Sequence, residues 1–192
     1  MSQVALDFYA RGAVDLAQAL LGCLIEHEVD GQICGGFISE TEAYTEDDEA
    51  SHSFRGMTPR NQAMFAQPGT IYVYRSYGLH FCMNISSGAE GRGEAVLLRA
   101  IVPSEGLSLM RSRRKWPEPK ALRDLANGPG KLTAALGIGL ELNGSLLTGN
   151  SPLHVKQGRP VSLEAIQSGP RIGISKAKEK PWRFWVKATE WS

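Results

Sequence analysis

Two carboxylates and a phenol recur at alternate positions in Glu40-Thr41-Glu42-Ala43-Tyr44, directly behind Gly35-Gly36-Phe37-Ile38-Ser39, a run that reads as a β-strand. The two-residue period of a strand puts Glu40, Glu42 and Tyr44 on one face and Thr41 and Ala43 on the other. Downstream come His52, Tyr72-Val73-Tyr74, Tyr77-Gly78 and Cys82-Met83-Asn84-Ile85-Ser86, each in or beside a strand-like run. A carboxylate ringed by aromatic side chains suggests a site for a flat, electron-poor ligand. On pattern alone, the same residues also fit a surface or salt-bridged carboxylate among ordinary sheet tyrosines.

For that cluster to form, the chain must first build sheet. Cys23 to Val29 and Gln32 to Tyr44 flank Asp30-Gly31, a dipeptide suited to a tight hairpin, so an antiparallel pair is predicted to deliver Glu42 near one strand end. Ahead of it, Leu16, Ala17, Leu20 and Leu21 fall at helical spacing over Asp15 to Leu21, with Gly22 as the stop. Thr70 to Tyr74 and Leu79 to Ser86 are predicted strands, and alternation in the second sets Asn84 opposite Phe81, Met83 and Ile85. Ala95 to Val102 is an apolar strand interrupted by Arg99, and a charge in such a run is either paired or functional.

Thr45 to Arg60 shows little periodicity and begins with Glu46-Asp47-Asp48-Glu49, an acidic run that reads as a solvated loop. Thr58-Pro59-Arg60-Asn61 predicts a helix running to about Phe65, with Thr58 as cap and Pro59 at the first position, leaving free amides and Arg60 for a phosphate. Pro103-Ser104-Glu105 is predicted to open a helix ending in Arg111-Ser112-Arg113-Arg114-Lys115, which is either a solvated end or a phosphate contact. Asn127-Gly128-Pro129-Gly130-Lys131-Leu132 introduces a further helix to Leu136 and lacks the spacing of a nucleotide-binding P-loop. Short β-like runs such as Leu153-His154-Val155 and Phe184-Trp185-Val186 close the domain.

At 192 residues and 42% apolar, the chain has the length of one well-buried domain, taken as residues 1–192. The first nine residues lack the basic start and apolar core of a secretory signal, and no apolar run is long enough to span a bilayer. Cys23, Cys34 and Cys82 have neither Cys-x-x-Cys spacing nor paired histidines, which argues against a disulfide framework or a structural zinc and leaves buried thiols. Net charge is only +1, yet residues 1–50 hold one basic residue against eleven acids, and residues 51–192 hold twenty against nine. Such a chain can present a positive face to an anionic polymer, unless folding interleaves the two halves.

Taken together and in order, Ser39-Glu40-Thr41-Glu42-Ala43-Tyr44, Ala50-Ser51-His52-Ser53, Met57-Thr58-Pro59-Arg60-Asn61, Pro68-Gly69-Thr70-Ile71-Tyr72-Val73-Tyr74, Tyr77-Gly78, Phe81-Cys82-Met83-Asn84-Ile85-Ser86-Ser87, Leu97-Leu98-Arg99-Ala100 and Gly128-Pro129-Gly130-Lys131-Leu132 resemble the alkyladenine (3-methyladenine) DNA glycosylase family, from about Ala10 to Val186. The resemblance implies a mixed α+β fold: a single domain with a curved, mainly antiparallel β-sheet and surrounding helices. It implies that Glu42 is the general base, that Arg99 helps hold the attacking water, and that Tyr44, His52 and Tyr74 line the base pocket. Asn84 then screens purines at the pocket floor, Tyr77 is the side chain inserted into the duplex, and Arg60, Lys131 and Met64 contact DNA. The implied partner is double-stranded DNA containing damaged purines, met by a cytoplasmic, nucleoid-associated monomer that needs no cofactor or metal. No lysine in these blocks offers a Schiff-base nucleophile, so hydrolysis without strand cleavage is expected. The loop Gly88 to Gly93, His80 after the Tyr77-Gly78-Leu79 turn, and the short tail after Trp191 depart from the family pattern and leave lesion range and DNA grip open. A non-catalytic module that merely stacks damaged bases, and a metal-dependent nuclease using Glu46-Asp47-Asp48-Glu49, are the competing classes; four consecutive acids do not converge on one ion from a strand or helix.

Overall fold

In the computed structural model, which describes residues 1–76, 78–116, 121–187 and 191, the hairpin predicted around Asp30-Gly31 is present. It joins β1 (Leu24–Val29) to β2 (Gln32–Tyr44), and both turn residues adopt left-handed φ, 52° and 72°, as two-residue hairpin turns require. β2 is the shared strand of the sheet. Along one edge it pairs with β5 (Ala95–Glu105); the other edge is divided between β1 and a late strand, β8 (Arg183–Val186), opposite Glu40 to Glu42. β3 (Ile71–Ser76) and β4 (His80–Ser86) extend the sheet beyond β5, β6 (Leu153–Lys156) lies beside β1, and β7 (Ile166–Gly169) beside β8. All these pairings are antiparallel. Register slips between β2 and β5 on both sides of Glu40 bend the long strand, as bulges do, and the curled sheet closes over a single main core.

Three helices cover that core: α1 (Ala13–Ala19), α2 (Leu107–Arg114) and α3 (Pro129–Leu136). Leu16 and Leu20 of the first helix region pack with Ile25, Ile38, Met83, Ile85 and Leu98 of the sheet. Thr41 and Ala43 face this core with no exposed surface, and the Thr41 hydroxyl donates to the Ala17 carbonyl at 2.8 Å. α1 starts two residues before the predicted Asp15, because the carboxylate of Glu94 accepts the Ala13 N–H at 3.1 Å and satisfies a donor that no local residue caps. Mixed α+β architecture on a curved antiparallel sheet is therefore the observed fold. All three cysteines are buried and free, and no helix among the described residues is long and apolar enough to cross a membrane.

Three local expectations are corrected. Thr58-Pro59-Arg60-Asn61 does not begin an α-helix, and only a 3₁₀ turn forms, over Gln62–Phe65. The side chain of Asn61 takes over instead. Its Oδ1 accepts from the N–H and hydroxyl of Thr58 at 2.6 and 2.9 Å, and its Nδ2 donates to the carbonyls of His52 and Gly56, a local pattern that competes with helix formation. Pro103-Ser104-Glu105 continues β5 rather than opening a helix, and Gly106, at φ 65°, makes the turn into α2. Pro103 fits there because it faces Gly36 of β2, where a Cβ would lie 2.3 Å from the Val102 carbonyl oxygen and 2.9 Å from the Pro103 Cα. The basic end of α2 is not merely solvated: Arg113 donates to the Leu136 carbonyl at 2.8 Å, closing the C-terminus of α3, and Arg114 donates to the Leu125 carbonyl at 3.1 Å.

The close approach of β5 to Gly36 is directly testable. Gly36→Ala should destabilise the protein by about 1–3 kcal/mol through overpacking, read as a shift in the urea unfolding midpoint. Gly149→Ala, where an added Cβ would meet nothing within 4 Å, is the control and should stay within about 0.5 kcal/mol of the parent. Equal midpoints for the two variants would show that the strands can part at no cost.

Candidate active site

Near its C-terminal end β2 carries Glu42, a carboxylate with no exposed surface. Burying such a charge is tolerable only with compensating partners, and three donors meet it. Its Oε1 accepts from the Ile172 backbone N–H at 2.7 Å and faces Arg99 Nη1 at 3.2 Å, while its Oε2 accepts from the Tyr44 phenol at 2.8 Å. Arg99 reaches back from β5 to both carboxylates, donating through Nε to Glu40 at 2.8 Å, and Arg183 of β8 meets the same Glu40 oxygen at 2.7 Å. Burial works against the charge on Arg99, but the carboxylates of Glu42 and Glu40 outweigh it and hold its pKa above the ordinary value. The Tyr44 phenol is pushed up by burial and then by the neighbouring Glu42 charge, so it stays a proton donor.

In front of Glu42 lies a cleft of about 590 Å³. Tyr44, Arg99 and Ile172 form part of its wall, together with His52, Tyr72, Tyr74 and Asn84. β3 presents Tyr72 and Tyr74 on one face, their rings 5.5 Å apart, and His52 sets its ring edgewise 4.6 Å from Tyr74. His52 Nδ1 and the Tyr72 hydroxyl are 2.9 Å apart, and burial pushes that phenol up to about 12. The outer edge of His52 remains open to solvent, yet its ring is crowded by Tyr72 and Tyr74. That desolvation, reinforced by the Arg60 charge, holds the imidazole below its ordinary pKa. Asn84 sits buried in the wall from β4, where its Nδ2 donates to the Tyr72 carbonyl at 3.1 Å, leaving Oδ1 without a partner among the described residues.

The sequence-predicted site residues therefore divide. Arg99, Tyr44, His52, Tyr74 and Asn84 line one cleft, and Glu42 lies behind that wall, bonded to Tyr44, Arg99 and Ile172. Arg60 is exposed on the rim, on the turn before the 3₁₀ segment rather than at a helix start. Lys131 stands in the first turn of α3, its ammonium 2.7 Å from the Asn127 side chain. Met64 is only 3% exposed, clusters with Tyr72 and lines the cleft. Tyr77 lies outside the described residues.

Asp48 and Arg171 were not visible as site residues. The acidic run is not a uniformly solvated loop: Asp48 is fully buried, its Oδ1 3.0 Å from Arg171 Nη2 and its Oδ2 against Nη1. Glu46 accepts the Gly93 N–H at 3.0 Å, while Asp47 and Glu49 are exposed. The sequence held one weak signal, a lone arginine in Gly169-Pro170-Arg171-Ile172-Gly173, and nothing local tied it to Asp48. Folding pairs part of the early acidic charge with later bases. Glu26 meets Lys156, Glu40 meets Arg99 and Arg183, Glu42 meets Arg99, Glu46 meets Arg92, Asp48 meets Arg171 and Glu49 meets Lys176.

Comparison with known proteins bears on what this cleft is for. The family model described as "Methylpurine-DNA glycosylase" matches residues 7–190. The chain belongs to the methylpurine-DNA glycosylase family. Among its relatives is a protein named "Putative 3-methyladenine DNA glycosylase" from Carboxydothermus hydrogenoformans, 45% identical over 181 residues, which are 94% of this chain and 93% of that one. Proteins of the same name from Methanoculleus marisnigri, 47% identical over 96% of this chain and 95% of theirs, and from Rhodopseudomonas palustris strain BisB18, 46% identical over 96% and 87%, are similarly alike.

The imidazole of His52 provides a test of this geometry. NMR titration should give it a midpoint below the ordinary value of about 6.5. Arg60→Gln should raise that midpoint, since removing a nearby cation lets the imidazolium form at higher pH. With the folded pKa depressed, the stabilising contribution of neutral His52 is complete above the unfolded value and is lost as pH falls through the folded one. An unmoved midpoint in Arg60→Gln would separate Arg60 from the cleft mouth.

Proposed function

We propose that the protein binds double-stranded DNA, draws an alkylated purine such as 3-methyladenine into the cleft, and hydrolyses its N-glycosidic bond with a water activated by Glu42. The observation that carries this reading is the fully buried Glu42, held by three donors behind walls of Tyr44, His52 and Tyr74. A base stacked in duplex DNA cannot be reached for hydrolysis, so it is flipped out, at a cost of a few kcal/mol that is least for damaged bases, as glycosylases do as a class. N-alkylated purines carry positive charge and favour aromatic faces over water; each stacking contact is worth roughly 1–3 kcal/mol on single-strand platforms. A neutral His52 suits the same ligand, because an imidazolium would repel it.

The step balances as follows. The water oxygen bonds to the anomeric carbon, the carbon–nitrogen bond breaks, and its electron pair neutralises the departing cationic purine. The water proton passes to Glu42, whose Oε2 carries a single donor, Tyr44, among the described residues. Arg99, still tied to Glu40, keeps the carboxylate oriented and stands ready to hold the water. An abasic site with an intact strand is the product. A module that only stacked bases would gain nothing from a carboxylate in a polyanion's site. Tyr77 would fill the gap left by the flipped base, Asn84 would reject guanine by contact with its 2-amino group, and Arg60 and Lys131 would grip phosphates, the molecule acting as a monomer in the cytoplasm.

Glu42→Gln keeps size and shape, and Arg99 retains Glu40, so binding to methylated duplex DNA should persist. Base release, measured by chromatography of the freed purine, should fall by about 10²–10⁴-fold. Release within threefold of the parent would take Glu42 out of the mechanism. Neutralising Arg60 or Lys131 should weaken binding regardless of sequence and flatten the plot of log affinity against log salt by about 0.9 per lost contact. A slope identical to the parent's would leave that side chain a purely structural role.

A further inference from the structure

Arg171 makes no contact with the cleft carboxylate, yet it anchors the groups that do. Its guanidinium is fully buried and engages Asp48 through both terminal nitrogens, while Nη1 also donates to the Ala43 carbonyl at 2.9 Å. One face of that plane lies 4.6 Å from the Tyr44 ring, and the Trp182 ring is 5.4 Å away. The contacts converge on particular pieces of backbone. Ala43 separates Glu42 from Tyr44, and Ile172, whose N–H binds Glu42 Oε1, is the residue next to Arg171. A buried ion pair is a poor source of net stability. A planar group that bonds at its edge and stacks on its face is a good device for fixing geometry, which lysine cannot match. Asp48 has a second consequence, because an unpaired cation this close to Tyr44 would oppose a cationic occupant of the cleft.

We propose that Arg171 is a positioning residue for the Glu42 carboxylate, acting through the Ile172 N–H and the Tyr44 phenol, with Asp48 cancelling its charge behind the cleft. The inference rests on the glycosylase reading of the site and adds two residues to it. Glu42 is then oriented from two sides: from β5 by Arg99, and from the late segment at residues 171–172 by a pair that never touches the substrate.

The test separates rate from stability. The double variant Asp48→Leu/Arg171→Met replaces the ion pair with apolar side chains, an exchange that buried pairs often tolerate. It is compared with the parent by thermal melting, by affinity for methylated duplex DNA, and by the single-turnover rate of purine release with enzyme in excess. Positioning predicts a melting temperature and an affinity close to the parent's, affinity within threefold, with a release rate at least fivefold lower. A folded double variant whose rate falls by less than fivefold overturns the proposal, since a purely structural pair would let the rate follow stability. Should the double variant not fold, Arg171→Lys decides by the same fivefold threshold, because it keeps the charge opposite Asp48 and loses the planar stack on Tyr44. The parent run alongside distinguishes the two ideas: release by the parent with no loss in the variant sinks only the inference, whereas no release by the parent sinks the glycosylase reading and the inference with it.

Discussion

A carboxylate with no exposed surface dictates much of this structure. Unpaired burial of Glu42 would cost several kcal/mol, so the fold must bring it donors, and it draws them from three separate places: the phenol two residues along β2, a guanidinium from β5, and a backbone N–H from the segment before β8. The last two come from far along the chain. They converge on β2, which pairs with β1, β5 and β8, at the point where its second edge passes from β1 to β8 and Glu40 and Glu42 lie. The register slips around Glu40 bend the strand at the same place, which lets a single arginine, Arg99, engage both carboxylates.

The two faces of β2 have opposite tasks. Thr41 and Ala43 close against α1 with ordinary packing and one hydroxyl–carbonyl bond. The opposite face is polar and charged, with Glu42 fully buried and Glu40 and Tyr44 partly so, and it is held by ion pairs rather than by apolar contact. Aromatic residues mediate between this charged floor and the cleft: Tyr44 donates to Glu42 and offers its ring to Arg171, while Tyr72 ties His52 into the wall.

What the sequence disclosed follows the range of the interactions. Short-range patterns were legible: the Asp30-Gly31 hairpin, the existence of a helix before Gly22 though not its ends, the helix introduced by Gly128-Pro129, and the alternation that groups Glu40, Glu42 and Tyr44. The family blocks added which of those residues share a cleft. Features that depend on a distant partner were not legible. Pro103 reads as a helix opener until Gly36 is seen across the sheet, Thr58 reads as a cap until the Asn61 side chain takes its donors, and Asp48 reads as solvated until Arg171 covers it. The imbalance of charge along the chain suggested a positive surface, and it did not disclose which early acids pair with which late bases, as Asp48 does with Arg171 and Glu40 with Arg183.

That last arrangement has a consequence for synthesis on the ribosome. Residues 1–50 form an acidic segment bearing Glu40, Glu42 and Asp48, while Arg171 and Arg183, which pair with Asp48 and Glu40, and β8, which covers the edge of β2 there, are translated much later. Contacts of such sequence separation form late because their loops must close first. A chain cut short before residue 171 thus contains the sequence of β2 and its carboxylates without Arg171, Ile172 or Arg183 to hold them in place.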